Sequence, residues 1–417
     1  MAGFQGFEVA NGILQDMYKG LVSSVYDEAS PLMKIIKPKS DKVYGQQVKF
    51  SAQLENPQGV ASRATANQLL PAAVPGKYLE LIIPTGRIYG VMEFDGKMLE
   101  AAGANKDGKM AYVNYLENEI KGLKTAFNMD LSRQLFGKKT GFICASGTTA
   151  GLVILQLATT ANMQYFVEGM HIDILTAATG VAIANGLDRV IQSVDVDNLR
   201  VTLDTSGGVV TTDSTISVCR QGAYNAEMTG LAAIVSDTEN IYGVITSTQR
   251  RWKGYVYSTA FALNIKTIGK IAMAAKTRSG VFTDLIVSSP SKMQQIGATI
   301  QGTAYTWDIG KTPTPPTDIK LGYNRLYVLI EGNLMEWISD PNCPESVIYG
   351  LRKEYLGIQH LGDPKFMTVN GEMLLPNIYG ANGTPTYKAV LEYYPEYTCQ
   401  RRNVNWVATG VTDASGW

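Results

Sequence analysis

The stretch Lys109–Phe136, KMAYVNYLENEIKGLKTAFNMDLSRQLF, decides the fold class of this chain. Its apolar residues recur every three or four positions, which places them on one side of a 3.6-residue helix. No proline interrupts the stretch, and Gly137 follows it where a left-handed residue commonly ends a helix. At 1.5 Å per residue the predicted helix is about 40 Å long. A helix of this length with one apolar side is typical of a scaffold element rather than of a catalytic one.

An extended hairpin is predicted before this helix. Lys42–Leu54 and Lys77–Glu93 have strand-forming patterns, and Glu55–Pro75 between them is polar and rich in Ala, Gly and Pro. A two-stranded ribbon is marginally stable alone in water, and loops of this length usually have a function. We therefore expect the hairpin to pack against another surface. A neighbouring copy of the chain is favoured, and its own domain is the alternative. Further upstream, Asn11–Ala29 has the spacing of a short amphipathic helix.

The segments after the long helix predict a mixed organisation. Gly151–Cys219 contains about six short strand-like runs, which predict a small barrel or sandwich inserted into the main fold. Asp197-Asn198 suits a two-residue turn between two of these strands. Thr259–Arg278 and a segment that begins at Pro290 return to helical spacing around a buried-type strand. This order indicates an α+β fold.

Composition and charge exclude several classes of protein. Hydrophobic residues make up 45% of the 417 residues, which excludes global disorder and allows more than one core. Basic and acidic residues number 37 each, and this balance argues against a dedicated nucleic-acid-binding protein. No signal-peptide pattern and no apolar run long enough to span a membrane occur, so no membrane partner is expected. The four scattered cysteines favour buried, reduced thiols.

No catalytic or metal-binding motif stands out. His171 and His360 have neither a cysteine nor a serine elbow beside them, and the P-loop pattern is missing. Asp195–Asn198 resembles the start of a calcium loop but lacks its glycine and its distal glutamate. The sequence therefore predicts no enzyme, no cofactor and no metal. Scattered carboxylates keep a carbohydrate-active enzyme as a distant alternative.

The segment order resembles that of the major capsid protein of tailed bacteriophages, the Hong Kong 97-type fold. Ile13–Val22 resembles the N-arm helix of that family, and Phe94–Ala102 resembles the step from its E-loop to its spine helix. Thr229–Gly254 and Ser288–Met293 resemble the stretch before its axial domain and the strand-to-helix step inside that domain. The resemblance implies an α+β capsid fold with an N-arm, an E-loop, a P-domain with the spine helix, and an A-domain. The predicted barrel would be an insertion into it.

The resemblance also implies domain boundaries. In chain order they are 1–44 for the N-terminal arm, 45–95 for the E-loop, 96–150 for the P-domain with spine helix 109–136, 151–222 for the inserted β-barrel domain, 223–258 for a return to the P-domain, 259–364 for the A-domain, and 365–417 for C-terminal strands that return to the P-domain.

The implied function is that of a shell subunit. Pentamers and hexamers of the chain would form the icosahedral capsid of a virion around double-stranded DNA, assembled in the host cytoplasm. Implied partners are other copies of the chain, a separate scaffolding protein, a portal protein and, through weak non-specific contacts, the packaged DNA. A decoration protein is a further candidate partner. A tail-tube or decoration subunit is the structural alternative, and the long helix and the hairpin count against it.

Residues expected at contacts between subunits come from the arm, the hairpin tip and the tight basic clusters. Salt bridges are the favoured interpretation of the basic clusters, and phosphate contact is more weakly indicated. The candidates are Leu14, Met17, Tyr18, Leu21, Arg63, Leu69, Leu70, Arg250, Arg251, Arg401 and Arg402.

Overall fold

The computed structural model describes residues 30–36, 38–40, 43–64, 69–95, 106–158, 162–304, 325–330, 332–371, 373–376 and 386–413. The helices are α1 (Pro31–Ile35), α2 (Lys106–Phe136), α3 (Leu231–Ile234), α4 (Ile265–Ser279) and α5 (Pro290–Ala304). The strands are β1 (Pro38–Lys39), β2 (Val43–Tyr44), β3 (Gln47–Glu55), β4 (Lys77–Pro84), β5 (Ile88–Asp95), β6 (Phe142–Ala145), β7 (Thr149–Leu152), β8 (Ile154–Gln156), β9 (His171–Thr176), β10 (Arg189–Asp195), β11 (Arg200–Leu203), β12 (Val210–Thr212), β13 (Ile216–Arg220), β14 (Tyr255–Tyr257), β15 (Phe261–Ala262), β16 (Leu285–Ser288), β17 (Arg325–Ile330), β18 (Asn333–Ser339), β19 (Val347–Leu351), β20 (Leu356–His360), β21 (Lys365–Phe366), β22 (Leu375–Pro376), β23 (Thr386–Tyr393), β24 (Pro395–Cys399), β25 (Trp406–Thr409) and β26 (Val411–Thr412).

The predicted long helix is confirmed as α2, which has 31 residues and begins three residues earlier than predicted. Near its C-terminus, Phe127, Leu131 and Leu135 are buried in the largest core cluster. About two turns before Phe127, Ile120 belongs to a second cluster with residues of β5 and β23. The helix therefore joins two cores along one side, as its apolar spacing predicts. Gly137 donates its backbone N–H to the carbonyls of Arg133 and Gln134 and does not have a left-handed backbone.

A central six-stranded sheet has the strand order β14-β25-β19-β16-β18-β17 and is covered on both faces. In β16, Leu285 and Val287 point to the core that contains α2, while Ile286 points to the core that contains α4. This alternation follows from the two-residue period of a strand. The C-terminal segment is divided, because β25 lies inside this sheet while β23 pairs with β5.

The hairpin, residues 47–84, consists of β3, a tip at 56–76, and β4 in antiparallel register. The prediction of a single second strand over Lys77–Glu93 is wrong, because the structure has two strands there. Pro84 ends β4, and after residues 85–87 the chain continues as β5, which pairs with β23 instead. Pro84 has no backbone N–H to continue the ladder, and Gly86 donates its N–H to the carbonyl of Pro395 at 2.9 Å.

The six-stranded sheet of residues 142–220 has the order β6-β13-β9-β10-β11-β8, and its two edges meet. An isolated antiparallel bridge joins Ser146 to Leu157, and Ala158 donates its N–H to Ala145 O at 3.0 Å. Apolar residues from the strands form a separate core inside this unit. The two-residue turn predicted at Asp197-Asn198 is wrong: the turn has four residues, because Asp195 accepts hydrogen bonds from the backbone and side chain of Asn198.

The start of helix α4 and the burial of the cysteines are two further points at which the structure can be compared with the sequence predictions. The helix predicted from Thr259 begins only at Ile265, because Phe261–Ala262 pairs in parallel with Val411–Thr412. The cysteines are buried free thiols. Burial raises the pKa of Cys219 and of Cys399 to about 12, so these thiols stay protonated near neutral pH.

Two glycine substitutions test the packing of this fold, and they should change the free energy of unfolding in opposite directions. In Gly350→Ala, the new Cβ would lie 1.9 Å from Cε2 of the buried Trp406 ring, so the midpoint of thermal unfolding should fall, with a loss of about 1–3 kcal/mol. In Gly122→Ala, the new Cβ meets open space on α2, and about 0.5–1 kcal/mol should be gained from helix propensity. Calorimetry of both variants measures this contrast. Equal stabilities would contradict the packing described around Trp406.

Candidate assembly surface

The hairpin has one covered face and one exposed face. On the covered face, residues of β3 and β4 form a core cluster with Val244 and Trp252. Tyr242 joins them through edge-on ring contacts with Phe50 and Trp252. We call the segment 241–252 the platform. The expectation that the hairpin packs on another surface is therefore met in part by its own chain, which was the alternative interpretation.

The other face of the hairpin and its tip expose apolar side chains. Val60, Leu69 and Leu70 are about nine-tenths exposed, at 91%, 90% and 87%. Clusters of exposed apolar side chains of this kind mark interaction sites rather than ordinary surface. Other exposed apolar residues of this region are Tyr44, Val74, Tyr78, Ile82, Tyr89 and Val91.

The two sides of the tip stay together through a few hydrogen bonds. Gln58 donates its backbone N–H to Val74 O at 3.2 Å. The guanidinium of Arg63 donates to Leu69 O at 2.6 Å and to Ser62 O at 3.2 Å. Three of the contact residues predicted from sequence thus lie together at the tip: Arg63, Leu69 and Leu70. The side chain of Arg63 holds the backbone that presents the two leucines.

The remaining candidates have different positions. Leu14, Met17, Tyr18 and Leu21 lie outside the described residues. Arg251 is exposed at the end of the platform, so it is free to contact another molecule. The side chain of Arg250 is not described.

The structure corrects the prediction that Arg402 contacts another subunit, because its side chain is buried within its own chain. Its relative exposure is 0%, and its guanidinium donates to four carbonyl groups of its own chain and to the hydroxyl of Thr246. The four carbonyls belong to Ala233, Ile234, Ser236 and Glu239, at 2.7–3.1 Å. The planar guanidinium, with its five N–H donors, satisfies the end of α3 and the irregular chain after it. Arg402 therefore fixes the approach to the platform from inside the molecule.

Arg401 also acts within the chain. It donates to Ser279 O at the end of α4 at 2.5 Å and to Asn403 Oδ1 at 3.2 Å, and it lies over the ring of Tyr355. A cation at the C-terminus of a helix is favourable, because the last carbonyls carry partial negative charge. Arg401 is half-buried in this helix-end contact, and its predicted contact between subunits stays a prediction.

A buried ionic cluster that the sequence interpretation missed lies at the end of α2. Arg133 is held between Asp130 and Glu227, Arg220 lies 2.9 Å from Asp130, and Gln134 donates to Asp130 at 2.7 Å. Burial alone would raise the pKa of Asp130, but Arg133 and Arg220 hold it below its usual value. Burial raises the pKa of Glu227. The i, i+3 spacing of Asp130 and Arg133 was visible in the sequence, whereas the distant partners were not.

The histidines have local partners. His171 Nδ1 lies 2.5 Å from Asp188 Oδ1 on the exposed surface, and His360 Nδ1 lies 2.8 Å from Gly362 O. Within the described ranges, no group of three His, Cys, Asp or Glu side chains is placed to hold a metal ion. In the same part of the chain, no helix is both long enough and apolar enough to span a membrane.

Comparisons with known proteins identify the fold. No protein-family model matches the chain, and no curated protein sequence does. Among solved structures, a chain of the cyanophage A-1(L) capsid asymmetric unit matches with a TM-score of 0.52 and 12% identity, over 92% of this chain and 93% of that one. A chain of the capsid of Myoviridae phage XM1 matches with a TM-score of 0.43 and 8% identity, over 92% and 93%. At 12% identity the cyanophage similarity shows the fold: the chain is built like a phage capsid chain.

The role of Arg402 can be tested by a conservative substitution. Arg402→Lys keeps the charge but loses the planar set of donors, so several buried carbonyls lose their partner. The chain should lose about 3 kcal/mol of stability, measured by chemical denaturation. Arg251→Lys, at an exposed position, is the matched control and should leave stability unchanged. Unchanged stability of Arg402→Lys would mean that these hydrogen bonds do not support the fold.

Proposed function

We propose that this chain is the major capsid protein of a tailed phage, a structural subunit rather than an enzyme. It forms pentamers and hexamers that close into an icosahedral shell around double-stranded DNA in the virion. One observation supports this most directly: a chain with a phage capsid fold holds a hairpin on its own platform and leaves the hairpin tip apolar and exposed.

The driving force we infer is burial of the tip against a neighbouring copy. Moving one exposed Leu or Val side chain out of water contributes about 1.5–3 kcal/mol, which is modest for a single residue. Each subunit contributes its own tip and receives another, so many modest contacts act together. A net charge of zero keeps repulsion between identical copies small.

The structural elements support a domain assignment for this subunit. In it, α2 is the spine helix of the P-domain, and the hairpin belongs to the E-loop at 45–95. The sheet of residues 142–220, whose edges meet, is the inserted β-barrel domain of 151–222 together with its flanking strand. The sheet around β16 and helices α4 and α5 form the A-domain of 259–364, and residues 1–44 form the arm.

The proposed partners follow from this role. Other copies of the chain are the main partner, a separate scaffolding protein directs assembly in the host cytoplasm, and a portal protein occupies one vertex. The balanced charge suits weak, non-specific contact with packaged DNA rather than tight binding. A decoration protein is a further candidate for the outer surface.

Removing the tip should separate folding from assembly. Deletion of 56–74 leaves Pro75-Gly76 to connect the paired residues Glu55 and Lys77. The subunit should fold, because the deleted residues lie outside the hairpin core, but it should not form shells. The paired substitution Leu69→Ser with Leu70→Ser should have the same effect. Negative-stain microscopy after coexpression with the scaffolding protein gives the readout, and circular dichroism checks folding.

A matched control changes an exposed apolar residue outside the hairpin. Val196 is 57% exposed in the turn between β10 and β11, and Val196→Ser should leave shells intact. Normal shells from the tip deletion would refute the assembly role of the hairpin. Tubes from the unaltered chain would refute the capsid assignment itself.

A further inference from the structure

The short linker at residues 85–87 connects the hairpin to the body of the molecule. Thr85 donates its N–H to Gln46 O at 3.2 Å, which closes the base of the hairpin. Gly86 donates its N–H to Pro395 O at 2.9 Å, which ties the linker to β24. A Cβ on residue 86 would lie only 2.9 Å from this same oxygen, so the close approach requires glycine.

The carboxyl group of Glu396 lies directly beside this linker. Glu396 has a relative exposure of 0%, and its Oε1 accepts the backbone N–H of Thr229 at 3.2 Å. Its Oε2 is buried without a hydrogen-bond partner and lies 3.8 Å from the Cβ position of Gly86. A buried oxygen without a partner is costly if the carboxyl is ionised and less so if it carries the proton.

A cavity of about 460 Å³ on the same side gives this region room to rearrange. Its walls are the end of β4 at Ile82–Pro84, the loop Lys138–Thr140 after α2, and residues around Thr229 and Tyr242. The end of the hairpin at Ile82–Pro84, directly before the linker, is thus not tightly packed on every side.

Burial, rather than the charged groups around it, favours the neutral form of the Glu396 carboxyl. Burial raises the pKa of Glu396 to about 7, although the N–H of Thr229 and the charge of Lys139 lower it. Tyr242 from the platform is half-buried and donates to Tyr397 O at 2.6 Å, and its own pKa is raised by burial and by Glu396. On the linker Arg87 is exposed, and across the sheet the register partner of Glu396 is the uncharged Gln359.

We propose that Glu396 is a proton-controlled contact that holds the hairpin linker against the body when its carboxyl is neutral and loosens it when the carboxyl is ionised. Because the pKa in the folded chain lies above the ordinary value of 4.5, the contribution is complete below that value and is lost as pH rises through about 7. Its consequence for shells rests on the proposed function, since the hairpin carries the assembly surface. The contact itself is a property of the single chain.

Hydrogen exchange of the purified full chain tests this contact without assembly. After correction for intrinsic exchange rates, backbone protection of 47–55 and 77–84 should fall about tenfold or more between pH 5.5 and pH 8.5. Protection of 171–176, in the separate core of the 142–220 sheet, should stay constant. In Glu396→Gln the hairpin strands should keep the same protection at both pH values.

The control is Glu239→Gln, which removes a carboxyl at the cavity wall that pairs with Lys138 and should keep the wild-type pH dependence. Constant protection in the wild type, or an unchanged pH dependence in Glu396→Gln, would overturn the proposal. If Glu396→Gln fails to fold, the infrared band of a protonated carboxyl in the wild type is measured instead. The proposal is supported if this band and the protection of the hairpin are both lost near neutral pH. It is refuted if one is lost and the other is kept. A negative result leaves the capsid assignment untouched, because no step of the test requires shells.

Discussion

The burial of one side of α2 is the constraint on which the rest of the structure depends. Phe127, Leu131 and Leu135 share a core with α1, the central sheet and the segment around α3, so these parts are positioned relative to one helix. Further along the same side, Leu123 lies against Gly90 of β5, where a Cβ would come within 3.0 Å of it. Since β5 follows the hairpin directly, the helix also fixes where the hairpin leaves the body.

The hairpin shows why a strand pair suits a chain that is folded alone and, in the proposed function, associates with other copies. The two-residue period of strands sends alternate side chains to opposite faces, so one sequence supplies both an anchored face and a free one. Val48 and Leu81 are buried on the platform side, whereas Tyr78 and Ile82 are exposed on the other. The anchored face removes the entropy cost of ordering the hairpin at the moment of association, which leaves more of the contact energy for affinity.

Local periodicity explains which elements were predictable from sequence. The apolar spacing of α2 and the short strand-like runs of β9, β10 and β13 depend on neighbours within a few residues, and the sequence predicts these elements. Pairing partners depend on the tertiary fold, so the sequence did not reveal that β4 and β5 separate at Pro84. The same limit applies to single charges: Arg402 and Arg251 look alike in sequence, yet one is buried among carbonyls and the other faces solvent. Of the candidate surface, the tip was predicted and its platform was not.

Buried polar side chains contact the segment that leads to the platform at several points. Residues 227–252 are mostly irregular, and irregular backbone cannot satisfy its own polar groups when it is buried. Glu227 meets Arg133, Thr229 donates to Glu396, and the carbonyls after α3 accept from Arg402. Glu396 and Arg402 thus replace missing backbone partners along the segment that ends in the platform, whereas Glu227 pairs with the side chain of Arg133. Because the platform carries the hairpin, these polar contacts act together with the apolar packing between hairpin and platform in holding the hairpin on the chain.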